Sequence, residues 1–128
     1  MSVDASGGLK EVIQNFSYAE NSGVHGMALD RHDEYLYSAD DTGDKLWTHK
    51  IDKATGKVTQ VDVIAAHSAG ADPRHVTVHP EGKYLYTVLE AANQLAVYTI
   101  DPVSHKPKFE KALPLIPKGM SREPLAIR

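Results

Sequence analysis

The chain has 128 residues, 41% of them hydrophobic and 24% charged, with a formal net charge of −3 at neutral pH. That balance suits one globular domain and excludes a disordered chain, and the scattered charges leave no basic face for nucleic acid. No apolar run reaches the length of a membrane span, the first residues lack the apolar centre of a signal peptide, and the absence of cysteine removes disulfides, thiolate metal sites and cysteine nucleophiles. These features suit a cytoplasmic protein, and the Asn15-Phe16-Ser17 sequon then reads as coincidental.

Along the chain, residues 10–18 (KEVIQNFSY) read as a first strand. Four strands follow at 24–29, 35–39, 45–51 and 57–64, separated by the turn-rich segments 30–33, 41–44 and 52–56. A second set is expected at 75–79, 84–89, 94–100 and about 108–115, broken by Pro80-Glu81-Gly82 and Ala91-Ala92-Asn93. β-Branched and aromatic residues populate these strands, as a half-buried pleated surface favours. The last residues, 123–128, read as the opening of a further strand.

The two sets are copies of one unit. Tyr35-Leu36-Tyr37 recurs as Tyr84-Leu85-Tyr86, an offset of 49 residues. The same offset, held without gaps, pairs Leu46 with Leu95, Ile51 with Ile100 and Asp52 with Asp101. It also pairs Ser38 with Thr87, Asp41 with Glu90 and Asp44 with Asn93. Four strands in a unit of this size describe one blade of a β-propeller. An immunoglobulin-like sandwich or a closed barrel requires no such repeat. The fold class expected is therefore all-β, with antiparallel four-stranded blades in an incomplete ring. Residues 24–64 and 74–115 form two full blades, 10–18 the outer strand of a preceding blade, and 123–128 the start of a third. Blades bury their faces against one another, so self-association or the remainder of a longer propeller is expected.

In a propeller the first strand of each blade lines the central channel. Antiparallel pairing sets the start of that strand beside the turn between the second and third strands. His25 and Arg74 open the first strands of the two blades, and Asp41 and Glu90 occupy the equivalent turns. His25, Arg74 and Glu90 are therefore expected at one channel mouth, where imidazole, guanidinium and carboxylate together suit an anionic substrate undergoing proton transfer. Each has a plainer alternative: a strand histidine bonded to a loop carbonyl, an arginine paired with Asp72 or a neighbouring blade, a solvated turn glutamate. Asp41 is read as a turn residue. Seven histidines raise the question of a metal, but His75 and His79, four residues apart on a strand, are about 13 Å from each other and share no ion. His67 lies in a loop free to approach either one, and no metal or cofactor is expected. Trp47 and Tyr35, Tyr37, Tyr84 and Tyr86 are read as packing between blades. No glycine-rich phosphate loop and no Gly-x-Ser-x-Gly elbow is present.

The segments GVHGMALD, EYLYSADDTGDKLWTHKID, DPRHVTVHPEGKYLYTVLEAANQLAVYTIDP and LPLIPKG resemble the fungal carboxymuconate lactonising (cyclising) enzymes. These belong to the wider lactonase-type seven-bladed propellers that include bacterial 6-phosphogluconolactonase. The resemblance implies a cofactor-independent cycloisomerase of aromatic catabolism, in the β-ketoadipate route, acting on a small tricarboxylate. It implies that His25, Arg74 and Glu90 match the family's active-site histidine, arginine and glutamate. His25 or Glu90 then transfers the proton, His25 being favoured, and Arg74 binds substrate. A further arginine from a later blade has no counterpart in these 128 residues. The alternatives are a sugar-lactone hydrolase of the 6-phosphogluconolactonase type, a non-catalytic propeller scaffold and an inactive truncated product.

Overall fold

A computed structural model describes residues 1–120 of the chain. Eight strands follow in order: β1 (Val24–Leu29), β2 (Tyr35–Asp40), β3 (Lys45–Ile51), β4 (Val58–Ala65), β5 (Pro73–Val78), β6 (Tyr84–Leu89), β7 (Gln94–Ile100) and β8 (Pro107–Pro114). They form two four-stranded antiparallel sheets, β1-β2-β3-β4 and β5-β6-β7-β8, and the ring is not closed. No helix among the described residues is long and apolar enough to cross a membrane.

Turn chemistry sets the strand ends, and it repeats at the interval seen in the sequence. Left-handed backbone occurs at Asp33 and Gly82, at Asp44 and Asn93, and at Gly56 and His105, each pair 49 residues apart. Aspartate, asparagine and glycine are the residues that tolerate this conformation most readily. The identical pair Asp52 and Asp101 has a matching task. Each carboxylate accepts N–H bonds from the two residues that turn the chain, Ala54 and Thr55 in one blade, Val103 and Ser104 in the other. Those bonds hold both carboxyls below their ordinary value. His79 closes the β5–β6 turn by accepting the Glu81 N–H on Nδ1 at 3.2 Å. It is a turn cap.

The core lies between the two sheets. Tyr37 and Leu46 of the first sheet pack with Leu85, Leu89, Ala96, Tyr98 and Ile100 of the second, and all are buried. The Tyr37 hydroxyl crosses the seam to donate to the His105 carbonyl at 2.8 Å, and Tyr35 stacks on the His105 ring at 4.1 Å. Tyr84 and Tyr86, the equivalents of Tyr35 and Tyr37, lie on the far face of the second sheet, where Tyr84 is exposed and Tyr86 half-buried. Trp47 lies on the opposite face of the first sheet. It faces away from the second sheet, against Tyr18 and His49. Its indole N–H donates to the buried Asp40 carboxylate at 2.8 Å, an acceptor that also binds the N–H groups of Gly23 and Gly43.

Residues 10–18 correct the reading as a strand. They make no ladder. Ladder pairing needs a partner edge, and here the bonds to the sheet run through a side chain: Gln14 accepts the Val58 N–H and donates to the Val58 carbonyl. The rest of the segment lays Phe16 and Tyr18 edge-on to His49. Smaller shifts affect the second blade. Pairing in β5 starts at Pro73, ahead of the expected residue 75, because a bulge carries the ladder past Arg74. Residues 123–128 lie outside the described residues.

Candidate active site

Strict alternation fails at one place in each inner strand. In β1, Val24 pairs with Asp40 and Gly26 with Ala39, leaving His25 unopposed; in β5, Pro73 pairs with Leu89 and His75 with Val88, leaving Arg74 unopposed. A bulge inserts one extra residue and re-aims its side chain. Both bulges fall at the same height, 49 residues apart. The same strand ends thus carry an imidazole in the first blade and a guanidinium in the second.

Glu90 reaches Arg74 from the β6–β7 turn. That turn is pinned beside the start of β5: the Glu90 N–H donates to the Asp72 carbonyl at 2.9 Å, and the Glu90 carbonyl accepts the Asn93 N–H. Arg74 Nη1 then donates to Glu90 Oε2 at 2.5 Å, between side chains that are 22% and 29% exposed. The Arg74 Nε–H donates across the seam to Nε2 of the exposed His25, at 3.2 Å. The three residues expected at one mouth are brought together by a single guanidinium. Asp41 stays a turn residue, its N–H donating to Gly23 and its carbonyl accepting from Asp44.

The loop ahead of β5 is tied to the first blade. Asp44 accepts the N–H groups of Gly70, Ala71 and Asp72 on its two carboxylate oxygens. Asp72 takes left-handed backbone, and its carboxyl is raised by burial and then by the carboxylates of Asp41, Asp44 and Glu90. Glu90 thus faces both the Asp72 carboxyl and the Arg74 guanidinium. Two features were missed from the sequence. One is Gly26, whose α-carbon lies against the Arg74 carbonyl. The other is His75, whose ring stands edge-to-face with His25 at a centroid separation of 5.0 Å. Gly26 and His75 occupy equivalent repeat positions, so their divergence was the available signal. His67, by contrast, stacks on Phe109 and bonds Gln94, and no cluster of metal-ligating side chains occurs among the described residues.

The geometry limits the chemistry. Arginine has no acceptor, so Nε2 of His25 must accept, and the ring proton in this arrangement is on Nδ1. A proton on Nε2 and the Arg74 contact exclude one another. The group can therefore exchange a guanidinium–imidazole bond for a guanidinium–anion bond and free an imidazole nitrogen in the same step.

Over residues 1–126 the sequence matches the family described as Lactonase, 7-bladed beta-propeller. The chain belongs to that family. Among curated relatives, this lactonase-family chain is 46% identical to the carboxy-cis,cis-muconate cyclase of Neurospora crassa over 96% of its own length and 34% of the relative's. It is 30% identical to the 6-phosphogluconolactonase of Bacillus subtilis over 66% of its length and 24% of that enzyme's. It thus spans about a third or less of the curated relatives it matches. The Pseudomonas aeruginosa periplasmic gluconolactonase superposes with a TM-score of 0.79 at 22% identity, over 93% of this chain and 36% of that one, a likeness of fold.

Proposed function

We propose that these residues serve a cycloisomerase that closes 3-carboxy-cis,cis-muconate to its lactone. The observation that carries the reading is the 46% identity to a carboxy-cis,cis-muconate cyclase along 96% of the chain. In the reaction, a substrate carboxylate oxygen bonds to an alkene carbon, the π bond is consumed, and the neighbouring carbon takes a proton. The nucleophile belongs to the substrate. The protein must hold a polyanion in reacting geometry and deliver that proton.

Arg74 takes a substrate carboxylate with its planar fork of donors, steadied by Glu90. That carboxylate competes for the Nε–H now given to His25, and the released Nε2 takes a proton from solvent water and becomes its donor to carbon. Glu90, ion-paired with Arg74, sets the orientation of the guanidinium. The reading also requires another blade over Tyr84 and Tyr86, because their counterparts Tyr35 and Tyr37 are covered by the second sheet.

The test is consumption of the substrate's conjugated diene by the natural-length protein carrying these residues, with 6-phosphogluconolactone assayed in parallel. Diene loss is expected, slowed roughly 10²–10⁴-fold by His25→Ala. Hydrolysis of the sugar lactone with no diene loss overturns the reading. Unchanged turnover in His25→Ala removes the proton from His25.

A further inference from the structure

Arg74 and His25 together account for one carboxylate and one proton, whereas a carboxymuconate carries three carboxylates. We infer that His75 recognises a second carboxylate of the substrate and so sets the preference for a tricarboxylic over a dicarboxylic acid. The inference rests on the carboxymuconate reading above.

Three observations carry it. His75 directly follows the bulged Arg74 on β5, and its ring reaches the same mouth, perpendicular to the His25 ring at 5.0 Å. The residue is exposed, and its ring nitrogens make no hydrogen bond among the described residues, unlike His67 and His79, which are both engaged. Finally, the repeat position it occupies is glycine in the first blade, where any Cβ would strike the main chain of β5. An imidazole stands in the second blade where the first has bare backbone. Edge-to-face packing with His25 fixes its ring, and the ring nitrogens remain for a ligand. Carboxylates on a short carbon chain are a few bond lengths apart, the scale on which the two imidazoles stand.

The experiment uses 3-carboxyadipate and adipate, the saturated and unreactive counterparts of the two muconates, titrated into the natural-length protein carrying these residues and followed by the histidine ring C–H resonances. The unsubstituted protein is expected to bind the tricarboxylate about tenfold more tightly than the dicarboxylate, the effect of one charge-assisted hydrogen bond. His75→Phe keeps a ring against His25 but has no nitrogen, and is expected to bind both acids alike with adipate affinity unchanged. His75→Asn, which restores an N–H donor, is expected to recover part of the preference. Arg74→Ala is expected to weaken both acids equally. A preference that survives in His75→Phe overturns the inference and leaves the carboxymuconate reading standing, as does the absence of any preference in the unsubstituted protein. Failure of that protein to bind either acid overturns both.

Discussion

Gly26 lies directly against the main chain of Arg74: a Cβ at residue 26 would be 2.5 Å from the Arg74 carbonyl oxygen and 2.9 Å from the His75 α-carbon. Both obstacles are backbone and cannot swing aside as a long side chain does. The bare α-carbon lets β1 rest on β5, and that contact is what brings His25 within reach of Arg74. Blade packing and site assembly are the same event here.

Gly26→Ala is therefore expected to lower unfolding free energy by about 1–3 kcal/mol, the usual effect of overpacking. His25→Ala, at the exposed neighbour, should stay within about 0.5 kcal/mol. Urea titrations of the two variants separate the seam from the site. Equal stabilities would mean that β1 and β5 can part without penalty.

The buried Asp40 carboxylate has a second testable dependence. Burial alone would raise it, yet the Ser22 hydroxyl, with the bonds from Trp47, Gly23 and Gly43, holds it below its ordinary value. Asp40→Leu, which copies Leu89 of the second blade, strands those three donors and should cost at least about 2 kcal/mol. Adding Trp47→Phe removes one stranded N–H, so the double variant should lose less than the sum of the two singles. A denaturation cycle on the four proteins measures the coupling, and strict additivity would contradict it.

His49 is fully buried among Phe16, Tyr18 and Trp47, and desolvation lowers its pKa below the ordinary histidine value. The unfolded chain then binds the proton more readily than the folded one. The His49 contribution is complete above the unfolded value near 6.5 and is lost as pH falls from there through the folded value. Stability should decline as pH falls below about 6.5, and His49→Phe should flatten that slope. A slope that persists unchanged in His49→Phe would assign it to other groups.

Asp44 protects three successive amides, those of Gly70, Ala71 and Asp72. Asp44→Ala should speed hydrogen exchange at these amides by about tenfold, given the strength of bonds to an ionised acceptor, while β3 and β7 stay protected. Loss of protection throughout the chain would instead show that the loop is part of the global unfolding unit.

Much of this architecture was legible because the repeat interval applies to turns as well as strands. Asp33 with Gly82 and Asp44 with Asn93 share their backbone conformation, so one blade's ladder predicts the next. The meeting of His25, Arg74 and Glu90 followed from that register. What escaped was whatever breaks the period. An alternating pattern has no place for a residue opposite nothing, so the bulges at 25 and 74 were invisible. The Asp40–Trp47 pair is confined to one blade, its counterparts being Leu89 and Ala96, and leaves no repeated trace. Residues 10–18 have strand composition, but composition carries no information about whether a partner edge is present.

The paired bulges have a consequence for how such a protein changes its chemistry. A side chain held by a main-chain kink, and not by the pleat, can be exchanged without disturbing ladder hydrogen bonds or interior volume. Each blade then offers one interchangeable socket at a fixed level of the axis, holding histidine in one and arginine in its neighbour. New reactivity can arise by refilling sockets, with the walls between them left alone.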